Sequence, residues 1–193
     1  MKKLIKPVLT LSLAVALTLP FSTINAQVFD KGDVTISAGL GLGSTYYAHS
    51  VYTKTTVPPL FISGDYCLLE DLGPGNLGVG AYLGYSAYKY HYDYDVFDYG
   101  WKYSVLMIGA RGTYHFTDLV DNLDLYGGVL MGAKIVTSKA FGDHTVVTKT
   151  ASGSGFAFSI FAGARYFFTD NIGVMGELGY GIAWLSIGAT VRF

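Results

Sequence analysis

Asp65, Arg111, Lys134, Arg165 and Glu177 each stand in a stretch where every second residue is apolar, and each takes the other, small-residue side of that alternation. Carboxylates and cations confined to one face can do two kinds of work. They can line an ion path or gate, or they can pair with one another and fill a narrow interior. An unpaired charge away from water is expensive, so the second reading is favoured, with Arg111 and Lys134 expected to pair with Glu177 or Asp65. Arg192 and His115 belong to the same side, nearer one rim.

A second group is aromatic. The run "YKYHYDYDVFDYGWKY" (88–103) sets Tyr88, Tyr90, Tyr92 and Tyr94 on one register and Lys89, His91, Asp93 and Asp95 on the other, with Trp101 and Tyr103 following. The step from Ala87 to Lys89 is where an apolar face turns polar. Such a segment reads as a tyrosine-faced hairpin in water, suited to adhesion or ligand binding, or as rings that cap a rim at headgroup level. Other candidates are weaker. "GLGLGS" (39–44) and "GPGNLGVG" (73–80) echo dinucleotide loops, but no amphipathic helix follows either. His49 with Ser50, and Asp143 with His144, would need to converge to act as an enzyme, and no spacing shows that. The single cysteine, Cys67, allows no internal disulfide and no cysteine-based metal site. No cofactor and no metal are expected, and the chain is read as non-enzymatic.

The elements that must position these residues are strands. The period-two pattern recurs eight times, from Val34, Ile36, Ala38, Leu40 and Leu42 in the first strand to Leu185, Ile187, Ala189, Val191 and Phe193 in the last. Links alternate in length. Residues 70–76, 117–122 and 169–171 are short and turn-like, whereas 44–57, 89–100 and 136–153 are long and polar or tyrosine-rich. The link around 182–184 is the exception, being tight on the long-loop side.

The N-terminus sets the compartment. Lys2, Lys3 and Lys6 precede the apolar "VLTLSLAVALTL", which breaks at Pro20 and leads to "INA" before Gln27. That pattern reads as a signal peptide over 1–26, the apolar run being shorter than the roughly 20 residues of a spanning helix. The remaining domain is 27–193. Loss of three lysines and no acid takes the 13 basic residues to 10 against 14 acidic, a net charge of −4, which argues against nucleic acid as a partner. Mean hydropathy is +0.37, yet after residue 26 no apolar run approaches a membrane helix. Strands with one lipid-facing side reconcile the two.

A soluble lipocalin-like barrel has the same alternation with the faces reversed. Space decides between them. An eight-stranded interior only just admits side chains, so Gly, Ser and Thr suit the inside, and the Leu, Ile, Val and Phe face belongs outside. The expectation is an all-β, eight-stranded antiparallel up-and-down transmembrane barrel. Tyr114, Phe116, Tyr166, Phe168 and Phe193 then fall at one end of three strands, as an aromatic girdle. The signal segment, "GARGTYHFTD" (109–118), "DLYGGVLMGA" (124–133), "GELGYG" (176–181) and the terminal alternation into Phe193 together resemble the small outer-membrane barrels of the OmpA/OmpX type. That resemblance covers the whole of 27–193. It implies a Gram-negative outer-membrane location among lipid and lipopolysaccharide, and a terminal aromatic strand read by the barrel-assembly machinery. It also implies a barrel-only protein whose outward loops meet a surface ligand or host protein. A narrow channel for small or hydrophobic solutes is the alternative, and an outer-leaflet lipid-modifying enzyme the third reading.

Overall fold

The structure is a computed structural model that describes residues 29–45, 53–94, 97–116, 119–142 and 150–193. The expected signal segment 1–26, and the pairs His49–Ser50 and Asp143–His144, lie outside these residues.

Eight strands account for the fold: β1 (Val34–Ser44), β2 (Thr53–Leu69), β3 (Gly75–Tyr94), β4 (Phe97–Phe116), β5 (Leu123–Gly142), β6 (Thr150–Phe167), β7 (Ile172–Tyr180) and β8 (Ala183–Arg192). Each pairs antiparallel with the next, and β8 returns to β1 to close the barrel. Val34 and Phe193 exchange both backbone hydrogen bonds, at 2.9 and 3.1 Å, so the last residue completes the seam. Short turns join the strands at one end. Asp71, Gly73 and Asn122 adopt positive φ there, a conformation that Gly, Asn and Asp tolerate best.

The expected faces hold. Ile108, Ile160 and Leu178 are 53%, 60% and 63% exposed on the outer wall, an arrangement water would penalise and hydrocarbon favours. Thr35, Asp65, Arg111, Thr113, His115, Asp124, Arg165 and Thr190 are buried inside. The interior is less uniformly small than its glycines suggest. Phe61, Tyr82, Met107, Tyr126, Leu130, Phe161 and Met175 form an apolar layer within it. Ile182 continues the period-two register of the outward Leu178 and Tyr180 but is buried, because β7 stops at Tyr180 and the two-residue link 181–182 breaks the alternation.

Strand length is the larger departure. Segments 89–100 and 136–153, read as loops, are largely strand: β3 runs on to Tyr94, β4 begins at Phe97, β5 runs on to Gly142 and β6 begins at Thr150. Tyr88 opposes Tyr103 and Tyr90 opposes Trp101, and such cross-strand aromatic pairs hold a sheet where no core supports it. The wall is therefore uneven. β3, β4 and β5 have 20 residues each, whereas β1, β7 and β8 have 11, 9 and 10.

Candidate functional site

The interior charges meet because glycines stand between them. Asp65, Gly80 and Arg111 occupy one cross-strand row on β2, β3 and β4, and Gly80 leaves the space between the two charges open. A Cβ on Gly80 would lie 2.6 Å from Asp65 Oδ1. Two rows on, the device recurs, with Gly163 between Tyr126 and Glu177. Here a Cβ would lie 2.5 Å from the Tyr126 ring, and the Tyr126 hydroxyl reaches across to donate to Glu177 Oε2 at 3.2 Å.

These rows place six side chains in one chain of contacts. Arg111 Nη2 donates to Glu177 Oε2 at 2.9 Å, and its Nε lies 2.9 Å from Asp65 Oδ1, close enough for an ion pair though not aligned as a hydrogen bond. Arg165 donates to the other Asp65 oxygen and, at 3.1 Å, to Asp124 Oδ2, its direct cross-strand neighbour. Asp124 Oδ1 is 2.7 Å from His115 Nδ1. The order is thus Glu177, Arg111, Asp65, Arg165, Asp124, His115. Aromatic faces cover both guanidiniums, Phe161 at 4.3 Å from Arg111 and Tyr126 at 4.3 Å from Arg165.

Of the expected interior charges, Asp65, Arg111, Arg165 and Glu177 come together here. Lys134 stands two rows further along β5 from Leu130, opposite Met107 and Gly155. Asp124 and His115 complete the chain. Asp124 was legible in principle, since it precedes the inward Tyr126 by two residues.

His115 leads to the barrel floor. Its ring stacks on Phe29 at 3.9 Å, and Phe29 is fully buried. The Phe29 carbonyl accepts from Asn76 Nδ2 at 2.7 Å, and Cys67 Sγ lies 3.6 Å from it. No periodicity marks Phe29, which precedes the first strand. His115 Nε2 is also 2.9 Å from Thr113 Oγ1. Hydroxyl, imidazole and carboxylate in that order resemble a hydrolytic triad. All three residues are buried, and the His115 ring is covered by Phe29.

At the same end Phe116, Tyr166, Phe168 and Phe193 are exposed on the outer wall and Tyr114 is half-buried. Tyr114 packs edge-on against Phe116 and Tyr166 against Phe168. At the other end Tyr88 and Tyr103 stack at 5.1 Å and 14°, and Tyr90 and Trp101 are half-buried. Tyr92 and Tyr94 lie on β3, but their side chains fall outside the described residues. Among the described residues no group of three or more His, Cys, Asp or Glu could hold a metal ion.

Three comparisons bear on this geometry. A family model described as "Outer membrane protein beta-barrel domain" matches residues 13–190. No curated protein matches the sequence. Among solved structures the chain is similar to the outer membrane protein OprG from Pseudomonas aeruginosa, with 13% identity and a TM-score of 0.54, over 86% of this chain and 97% of that one. It is also similar to Ail, the attachment invasion locus protein of Yersinia pestis, with 16% identity and a TM-score of 0.50, over 85% and 100%. The N-terminal β-barrel domain of Pseudomonas aeruginosa OprF follows, with 20% identity and a TM-score of 0.47, over 84% and 98%. At such identities the likeness is one of fold.

Proposed function

The chain belongs to the outer membrane protein β-barrel domain family and lies in the bacterial outer membrane, and from that premise we propose that it acts at the cell surface through its projecting aromatic sheet, around a lumen closed to solutes. One observation carries the reading. The β3–β4 hairpin is 20 residues a strand, about twice the length of β1, β7 and β8, and it extends with tyrosine and tryptophan in cross-strand register. Strands of that length exceed the roughly 9–11 residues needed to span a bilayer. Rigid aromatic rings offer contact area at low entropic cost. The fold is compatible with such work, since Ail, named for attachment and invasion, also has it.

The lumen supports the second half of the proposal. Arg111 and Arg165 lie across the interior with their carboxylates and covering rings. The cavity beside Glu177, lined by Tyr82, Met107, Phe161 and Ile182, holds about 20 Å³, room for about one water. Such a lumen serves as a plug, not as a channel for small or hydrophobic solutes. In the same reading the protein is not an enzyme, residues 1–26 are removed as a signal peptide on export, and the strand ending in Phe193 addresses the barrel-assembly machinery. The experiment is a pair of assays on the full mature chain. Planar bilayers should show no steady current, and whole cells should lose surface binding when 90–99 is trimmed although insertion continues. A sustained conductance would replace the plug with the channel, and binding that survives trimming would remove the sheet from the account.

A further inference from the structure

Phe29 belongs to no strand, yet its ring is fully buried at the barrel end that carries the short turns. In outer-membrane barrels that end faces the periplasm. Two inward rows build the seat of the ring. Cys67, Gly78 and Thr113 stand in register on β2, β3 and β4, and Asn76 opposes His115 in the next inward row of β3 and β4. Gly78 makes the room, because a Cβ there would lie 3.2 Å from the Phe29 ring. The ring stacks on His115 at 3.9 Å and 25°, and His115 stacks in turn on Tyr126 at 5.3 Å and 26°. Phe29 is thus the outermost plate of a stack that leads inward to Arg165.

Backbone contacts fix the plate. The Phe29 carbonyl accepts from Asn76 Nδ2 at 2.7 Å and faces the Cys67 thiol at 3.6 Å, while Asn76 Oδ1 accepts from the Asp71 N–H at 3.2 Å. The segment that carries the ring is short and separately hinged. Asp30 and Asp33 close a turn on each other at 2.9 and 3.1 Å. Gly32 sits at φ +97°, with nothing within 4 Å of its Cβ position. Beyond that point the chain is tied to β2, the Gly32 N–H donating to the Cys67 carbonyl and the Cys67 N–H to the Asp33 carbonyl. Of residues 29–33 only Phe29 is buried. Lifting it breaks no strand pairing, which makes it a local opening and not an unfolding of the barrel.

Closing the lumen does not require this ring, since Phe61, Met107, Leu130 and Phe161 already fill the section further in. We infer that the seat is a binding site for a single aromatic ring, occupied in cis by Phe29, and that residues 29–32 form a hinged stopper controlling periplasmic access to His115 and Cys67. The chemistry selects the occupant. A flat apolar ring matches the imidazole face and the gap at Gly78, whereas an aliphatic group offers the imidazole no face to stack on. The inference rests on the outer-membrane placement and is independent of the surface-binding role.

The test uses chain 27–193 refolded into phosphatidylcholine vesicles, with the buried Cys67 as its own reporter. Alkylation by N-ethylmaleimide is followed by mass spectrometry, and heat-modifiable gel mobility reports folding. Native Cys67 should react slowly. Phe29→Ala should react at least about tenfold faster, the factor that burial of one phenylalanine side chain supports. Saturating benzene should return that variant to near the native rate, and cyclohexane should protect it less. Asn76→Ala, which keeps the ring but removes the anchor of its carbonyl, should react at an intermediate rate. A Phe29→Ala chain as slow as the native one would show that Phe29 stops nothing and overturn the inference. Benzene without effect on that variant, or no better than cyclohexane, would remove the ring site and overturn it equally. Should Phe29→Ala not fold, Asn76→Ala must by itself exceed the native rate, and an unchanged rate there overturns the stopper.

Discussion

Arg165 illustrates how much hangs on single residues in so narrow a space. It is fully buried, joins Asp65 to Asp124, and packs against the Tyr126 ring. An intact buried ion pair contributes little net stability, because desolvation offsets attraction, but removing one partner strands the other. Arg165→Met should therefore cost about 3–5 kcal/mol in urea unfolding from lipid vesicles. Arg165→Met combined with Asp65→Asn and Asp124→Asn should recover a large part of that loss, since fewer charges are stranded. A single variant as stable as the native chain would show that the contacts carry no energetic coupling. Parity alone places Asp65, Arg111, Arg165 and Glu177 indoors, and it places Asp124 and His115 there too. Which carboxylate each arginine takes was not legible, because that depends on the stagger between strands. Phe29 was not legible either. It belongs to no strand, and its burial comes from a partner, His115, far along the chain.

At the scale of the strands, inward glycines serve the large side chains across from them. Gly163 admits the Tyr126 ring, and a Cβ there would meet it at 2.5 Å. Gly163→Ala should destabilise the barrel by about 1–3 kcal/mol, the usual cost of overpacking, measured as a lower midpoint of heat-modifiable mobility. Gly153, whose Cβ would meet nothing within 4 Å, should accept alanine with no such fall. The outer wall answers to a different solvent. Ile160→Arg should cost roughly 2–4 kcal/mol if that position faces mid-bilayer lipid, and the same change at a water-facing site should be near neutral. Strand number and facing were readable from the sequence because apolar residues return every second position. Strand length was not. Once the outward residues turn from Ala87 to Lys89 the hydrophobic signal ends, but hydrogen bonding continues to Tyr94, held by rungs such as Tyr88–Tyr103 and Tyr90–Trp101.

Across the whole molecule, one closed wall separates two environments and one end of it rises well above the other. Closure removes the sheet edges that a bilayer would not tolerate, and Phe193 completes it by bonding to Val34. The account depends on the wall having hydrocarbon outside and a filled, water-poor interior. Spin labels at Ile108, Val129, Ile160 and Leu178, in the full chain reconstituted in vesicles, test this most directly; buried Cys67 stays unlabelled. Each label should be relaxed strongly by oxygen, which partitions into lipid, and weakly by a water-soluble nickel chelate. The opposite ranking at these positions, with nickel the stronger relaxant, would mean that the apolar wall meets water and that the barrel does not span a membrane.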